Sequence, residues 1–190
     1  IKYFAMIIIF AAIIIFLSLT GEDGTSHMSF LKKIGVSIFT AVSALSTTGY
    51  LPDGANTMPL AVGIVCITLL FVGGAMGSSA GGFKIMRIKV LFRQADSEIS
   101  RLAHPHGIVP MRVNDISVTS SILMSIWTLL FLYLSTIALF SVLYGLFGYN
   151  METGIGLAVV NLFSAGSMTG LIAPDFMGYS GMTYTAKWVT

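Results

Sequence analysis

Long apolar stretches alternate with shorter polar ones along this chain. No charged residue occurs within residues 3–19, 54–83 or 116–147. A helix needs roughly 20 such residues to cross a hydrocarbon core of about 30 Å. The pattern therefore predicts three membrane spans and an all-α integral membrane protein.

One short motif occurs twice. Residues 46–53 read STTGYLPD and residues 167–175 read SMTGLIAPD, with one residue inserted before the Pro-Asp pair. We call them the first and second Thr-Gly motifs. Each follows a segment of helical length rich in small residues (residues 34–45 and 153–166), which in turn follows a long apolar stretch. The repeat predicts two copies of one unit, in the order span, short helix, Thr-Gly motif, span.

The short helix before the first motif is too polar to face lipid. Hydroxyl groups recur at almost every third position, at Ser37, Thr40, Ser43, Ser46, Thr47 and Thr48. Irregular backbone at membrane depth is tolerated where protein or a water-filled path surrounds it. We therefore expect a re-entrant half-helix that returns as an extended loop. A polar helix that spans completely within a bundle is the alternative.

Such a loop offers a cation the oxygen ligands it needs. The carboxyl end of a helix carries about half a negative charge. Thr47, Thr48 and Gly49 can then present successive carbonyl oxygens that replace the hydration shell of a potassium ion, and a glycine reaches the backbone angles that this requires. Asp53 and Asp175 would raise the cation concentration at the outer mouth, although loop solubility explains these two acids equally well.

Residues 73–82, GGAMGSSAGG, form a second anomaly, which we call the glycine-rich segment. Five glycines in ten residues are incompatible with a stable helix. Phe83 stands where a phosphate-binding loop would need a lysine. Close helix packing through small residues is one explanation. We favour a helix break at membrane depth that acts as a gate.

Composition and charge argue against several other classes of function. The 190 residues are 55% hydrophobic and 9% charged. Six of the ten basic residues lie between residues 84 and 112, which predicts that this stretch is cytoplasmic. Acidic residues dilute its charge, so we expect no nucleic-acid binding. All acids and histidines, and nearly all lysines, lie outside the apolar spans or at their edges, so no intramembrane base is available and we expect neither an enzyme nor a cofactor in this chain.

At these residues the sequence resembles the Trk/Ktr/HKT superfamily of potassium transporters. The resemblance rests on residues 46–50 (STTGY), 80–89 (AGGFKIMRIK) and 173–176 (APDF). Members of that superfamily are similar to four fused units of helix, re-entrant pore loop and helix around one pseudo-symmetric cation pore. The chain looks like the third unit (residues 1–92), a cytoplasmic connection (residues 93–115) and most of the fourth unit (residues 116–190).

The resemblance implies a role for each motif. The potassium filter would consist of Thr47, Thr48, Gly49, Tyr50, Met168, Thr169 and Gly170. The gate would consist of Gly73, Gly74, Gly77, Ser78, Ser79, Gly81 and Gly82. The resemblance also implies a multi-pass protein in the lipid of the bacterial inner membrane, a homodimer of the complete protein and a cytoplasmic nucleotide-binding regulatory subunit.

The predicted function is potassium uptake, with the potassium ion as substrate. The chain starts at Ile1 rather than Met and carries two of four pore loops. We therefore expect it to be a piece of a longer protein whose remaining repeats complete the pore. Filter glycines do not distinguish a channel from a sodium-coupled potassium symporter. A non-conducting structural bundle is the other alternative, and it leaves the repeated motif unexplained.

Overall fold

A computed structural model describes residues 2–21, 29–52, 58–75, 77–103, 112–113, 116–117, 119–173, 176 and 187. The described part is built from helices: α1 (Lys2–Thr20), α2 (Phe30–Leu45), α3 (Leu60–Val72), α4 (Ile85–Ala103), α5 (Ser120–Leu146), α6 (Met151–Leu162) and α7 (Thr169–Ile172). A 3-10 helix (Gly166–Met168) precedes α7, and two short strands, β1 (Arg112–Val113) and β2 (Ile116–Ser117), pair antiparallel. The predicted helical class is confirmed.

Two helices in the described part, α1 and α5, are long and apolar enough to cross a membrane. The 27 residues of α5 correspond to about 40 Å of helix. Of the α5 side chains, Ile126 and Tyr144 are buried. Most of the apolar surface of α5 is thus left to face lipid or further protein.

The predicted span over residues 116–147 begins too early. Ile116 belongs to β2, where it pairs with Val113, and α5 starts at Ser120. The absence of charge identifies an apolar stretch but carries no information on backbone pairing at its edge. The β-branched Ile116 suits a strand as well as a helix.

The apolar stretch over residues 54–83 is not one span. Its helix, α3, has 13 residues, or about 20 Å, which is shorter than a hydrocarbon core. Pro59 precedes its first turn, where a missing backbone N–H costs nothing. Gly73, with a φ of 67°, follows its last residue. The helix break predicted at the glycine-rich segment is confirmed.

The next helix, α4, is amphipathic. Apolar residues recur at alternating spacings of three and four, at Ile85, Ile88, Phe92, Ala95, Ile99 and Leu102, which is the pattern of one helix face. The helix therefore continues to Ala103. The boundary predicted between residues 92 and 93 falls inside α4.

One core joins the two halves of the chain. It contains Ile15 of α1, Leu45 of α2, Leu70 of α3, Val160 of α6 and Ile172 of α7. The halves are therefore packed together, and the carboxyl ends of α2 and α6 come close.

A buried lysine fixes α2 beside α1. The Lys33 side chain is 9% exposed, and its ammonium donates a hydrogen bond to the Leu19 carbonyl oxygen at 2.9 Å. That carbonyl is among the last four of α1, which lack partners within the helix. The contact holds the start of the short helix against the end of the first span.

Candidate functional site

The first Thr-Gly motif leaves α2 as a tight, irregular loop. After Leu45, Thr47 has a φ of 53° and Gly49 a φ of 79°. The backbone N–H of Thr48 donates to the Ser43 carbonyl oxygen at 3.1 Å. The Ser43 hydroxyl in turn donates to the Tyr50 carbonyl oxygen at 2.6 Å. Ser43 therefore holds the loop folded back on the end of its own helix.

Gly49 is buried at the point where the two halves of the chain meet. A Cβ atom added to Gly49 would lie 2.6 Å from Ala165 Cα and 3.0 Å from Ala165 Cβ. Non-bonded carbon atoms do not approach to 2.6 Å, so the backbone after α6 lies directly on the first motif. Glycine is needed here for its left-handed φ and for this close approach.

The end of α6 repeats the geometry of the end of α2. Ser164, with a φ of 55°, takes the place of Thr47. The Ala165 N–H donates to the Val160 carbonyl oxygen at 2.8 Å, as Thr48 does to Ser43. Gly166 is therefore the counterpart of Gly49 by position after the helix end, although it begins a 3-10 helix rather than adopting a left-handed φ.

The sequence repeat and the structural repeat are offset in the second half. The predicted helix over residues 153–166 was too long, because α6 ends at Leu162, just before the left-handed Ser164. Gly170, matched to Gly49 by sequence, lies exposed in the single turn of α7. Met168 and Thr169 are buried, and the Thr169 hydroxyl bonds to the Gly166 carbonyl oxygen.

The glycine-rich segment is a loop closed at its base. The N–H groups of Phe83 and Lys84 donate to the carbonyl oxygens of Phe71 and Val72, at 2.9 and 3.0 Å. A Cβ added to Gly82 would lie 2.6 Å from Gly73 Cα. The backbone at Gly73 and the backbone at Gly82 approach each other so closely that only glycine fits at these two positions.

The outer part of that segment reaches the first motif. The Gly81 N–H donates a hydrogen bond to the Thr47 hydroxyl oxygen at 2.8 Å. Gly77, Ser78, Ser79 and Gly81 are exposed, and Gly74 is buried. The structure thus brings together the first Thr-Gly motif, the glycine-rich segment and the loop after α6.

An aromatic cluster supports this junction from α5. The Tyr133 ring packs on Phe163 with centroids 5.8 Å apart, and on Phe83 at 6.3 Å. Phe71 and Phe83 stack at 5.9 Å. The Tyr133 hydroxyl also donates to the Gly82 carbonyl oxygen at 3.3 Å. The cluster links the base of the glycine-rich segment to the end of α6.

Sequence reasoning missed three of these residues. Tyr133 lies in an apolar span with nothing to mark it, and Ser43 was one hydroxyl among several. Ala165 could have been found, because Ser164, Ala165 and Gly166 form a run of small residues at a helix end. The predicted mouth residues Asp53 and Asp175, and Met76 of the glycine-rich segment, lie outside the described residues.

The available ligands for a cation at this junction are carbonyl and hydroxyl oxygens. Within the described ranges, no group of three or more His, Cys, Asp or Glu side chains could hold a metal ion. Backbone carbonyls that follow the carboxyl end of a helix suit a weakly hydrated monovalent cation.

The sequence matches one family model, described as TrkH: Cation transport protein, over residues 2–155. The match includes the first Thr-Gly motif and the glycine-rich segment and ends before the second motif.

Curated relatives carry names from one transport system. The Trk system potassium uptake protein TrkH of Escherichia coli (strain K12) is 27% identical over 163 residues, which are 86% of this chain and 33% of that protein. TrkG of the same strain is 31% identical over 151 residues, 79% of this chain and 30% of that protein. The chain spans about one third of the length of these relatives.

A solved structure has the same fold. The crystal structure of the potassium transporter TrkH from Vibrio parahaemolyticus superposes with a TM-score of 0.76 at 24% identity, over 99% of this chain and 39% of that one. The likeness shows that the present helices are arranged as in a membrane transporter.

Proposed function

This chain belongs to the TrkH family of cation transport proteins, and we propose that it forms two adjacent sectors of a pore for potassium uptake. The contact between Gly49 and Ala165 carries the proposal. It sets the loops that follow two short helices against each other, as neighbouring sectors around one ion path require.

The two short helices support a re-entrant arrangement. With 16 and 12 residues, α2 and α6 reach about 24 and 18 Å, less than the roughly 30 Å of a hydrocarbon core. Both end at the junction, so their carboxyl ends place partial negative charge there. That charge lowers the cost of a cation inside the membrane.

We propose that the filter is lined by Thr47, Thr48, Gly49 and Tyr50 from the first motif. Met168, Thr169 and Gly170 are the corresponding residues by sequence, whereas Gly166 corresponds by geometry. The second sector would then present its oxygens through the loop between α6 and α7. The positive φ values of Thr47 and Gly49 support the first assignment, because they turn successive carbonyls in unusual directions.

The glycine-rich segment is the proposed gate. A hydrogen bond from Gly81 to Thr47 joins it to the first Thr-Gly motif, and the exposure of its outer part supports a segment that can move. Gly73, Gly74 and Gly82 form the fixed base. Gly77, Ser78, Ser79 and Gly81 form the part that would move.

The complete protein would supply the further repeats and partners that two sectors of the pore require. We propose that residues 1–92 and 116–190 are consecutive repeats and that further repeats close the pore. The stretch from residue 84 to residue 112, which we call the basic region, contributes to the connection between them. We also propose the bacterial inner membrane as location, a homodimer, and a cytoplasmic nucleotide-binding subunit that meets the basic region. Six basic residues between residues 84 and 112 support this last contact.

Ion uptake by the complete protein tests the proposal. Cells without their own potassium uptake systems would express it, and rubidium or potassium entry would be measured with sodium present or replaced by choline. Entry at the same rate in both media indicates a channel, and entry that requires sodium indicates a symporter. A well-expressed complete protein that admits neither potassium nor rubidium contradicts the proposed function.

A further inference from the structure

Lys84 stands between the glycine-rich segment and α4, in a position that is unfavourable for a lysine. Its φ is 75°, in the left-handed region that residues with a side chain rarely adopt. Its charge also lies at the amino end of α4, where the helix dipole repels cations. Any stabilisation that Lys84 provides must therefore come from the contacts of its side chain.

The Lys84 ammonium binds two carbonyl oxygens of the glycine-rich segment. Its Nζ donates to the Ser78 oxygen at 2.8 Å and to the Ala80 oxygen at 2.5 Å. The side chain is half-buried, so water competes with these bonds less than it would at a free surface. Hydrogen bonds with a charged donor are roughly twice as strong as those between neutral groups.

The rest of the outer segment is held weakly. Ser78 bonds within the segment, through its N–H and its hydroxyl to the Ala75 carbonyl oxygen. The Gly81 bond to Thr47 ties the segment to the first motif. The backbone hydrogen bonds of Phe83 and Lys84 keep the base of the segment closed. The outer part can therefore move away from Thr47 only if the Lys84 ammonium releases the carbonyl oxygens of Ser78 and Ala80.

We propose that Lys84 is a positioning residue that holds the glycine-rich segment against the first Thr-Gly motif by binding the segment's carbonyls as an internal cation. The inference rests on the proposed function, in which this segment is the gate. Lys84 then sets how often the gate opens. It also occupies carbonyl oxygens of the kind that a permeating potassium ion would seek.

Uptake by variants of the complete protein tests this role. Lys84→Met removes the charge, Lys84→Gln keeps a neutral donor and Lys84→Arg keeps the charge. We expect Lys84→Met to raise unstimulated rubidium uptake about tenfold, Lys84→Gln to raise it less, and Lys84→Arg to stay near the unmodified protein. The ratio of potassium to sodium uptake should not change, because the filter is a separate element.

Lys32→Met is the control. It also removes one lysine charge, but Lys32 is exposed on α2, outside the glycine-rich segment and outside the basic residues proposed to meet the regulatory subunit. Uptake by this variant should equal that of the unmodified protein. An equal rise in both variants would show a general effect of charge and overturn the specific role of Lys84.

A cysteine at the half-buried Ala80, whose Cβ packs against Gly74, gives a second readout that does not depend on transport. In purified protein with its native cysteines replaced, an impermeant thiol reagent should label Ala80→Cys about tenfold faster in the Lys84→Met protein, because release of the segment uncovers this side chain. Unchanged labelling, or unchanged uptake in a well-expressed Lys84→Met protein, overturns the inference. If that variant does not accumulate, the same comparison between Lys84→Gln and Lys84→Arg decides. Failure of the unmodified protein to transport potassium would contradict the proposed function instead, and the labelling rates would still test Lys84.

Discussion

Gly49 and Ala165 are 116 residues apart in the sequence, yet a Cβ atom on Gly49 would lie 2.6 Å from the Cα atom of Ala165. The obstructing atoms include the Ala165 Cα and carbonyl carbon, so no change of side chain at residue 165 can make room. Two loops that each follow a short helix are therefore locked together by backbone contact.

Gly49→Ser should impair ion selectivity more than any other single substitution in the first motif. A side chain costs about 1–2 kcal/mol at a left-handed φ and roughly 1–3 kcal/mol more where it overpacks a filled site. We expect a lower ratio of potassium to sodium uptake before expression is lost. Gly35→Ser is the control, because a Cβ there meets no atom within 4 Å. Unchanged selectivity in a well-expressed Gly49→Ser protein would remove Gly49 from the filter.

Ser43→Ala should loosen the first motif without changing its sequence. The variant loses the 2.6 Å hydrogen bond to the Tyr50 carbonyl oxygen, a loss of about 1 kcal/mol. We expect a modest fall in the potassium-to-sodium ratio, measured by competition for uptake. Ser18→Ala, which loses a bond of the same type within α1, should leave that ratio unchanged. Equal ratios in both variants would show that Ser43 does not shape the filter.

Tyr133 should act through its ring rather than its hydroxyl. The hydroxyl bond to Gly82 is long, at 3.3 Å, so Tyr133→Phe should cost less than about 1 kcal/mol. Tyr133→Ala removes the contacts with Phe83 and Phe163 and should cost about 2–4 kcal/mol. Thermal unfolding in detergent measures both, with the exposed Phe131→Ala as control. A larger loss in Tyr133→Phe than in Tyr133→Ala would contradict this assignment.

Deletion of Ser78 and Ser79 should raise flux or weaken its regulation and leave potassium preference intact. The deletion shortens the exposed part of the segment and removes one carbonyl that Lys84 binds, while the base at Phe71 and Phe83 stays closed. Ser79→Ala keeps the length and should change little. Loss of folding, or lower flux with unchanged regulation, would show that the glycines serve helix packing instead.

Residues on α2 and α4 should be reached from opposite sides of the membrane. Lys32 and Arg93 are both exposed, so cysteines at these positions can be labelled without disturbing a core. In intact cells an impermeant thiol reagent should modify Lys32→Cys, and only a permeant one should modify Arg93→Cys. Labelling of Arg93→Cys from outside would overturn the cytoplasmic assignment of the basic region.

Much of this arrangement was available from the sequence because it depends on local chemistry. Two of the three spans follow from uncharged stretches, since a single charge inside a hydrocarbon core costs several kcal/mol. The helix break at residues 73–82 follows from five glycines, because each glycine destabilises a helix by about 1 kcal/mol relative to alanine. The short helix before the first motif was likewise marked by its own hydroxyls, although α2 begins at Phe30, four positions earlier than expected.

The relationships between segments required the tertiary structure. By sequence, Gly49 pairs with Gly170, whereas α6 ends at Leu162 and the left-handed residue that follows it is Ser164, which makes Gly166 the counterpart by position. The bond from Gly81 to Thr47 and the contact of Gly49 with Ala165 leave no local trace in the sequence. Each depends on how far one helix is rotated and shifted against another, and that is fixed by packing of the whole core rather than by any one segment.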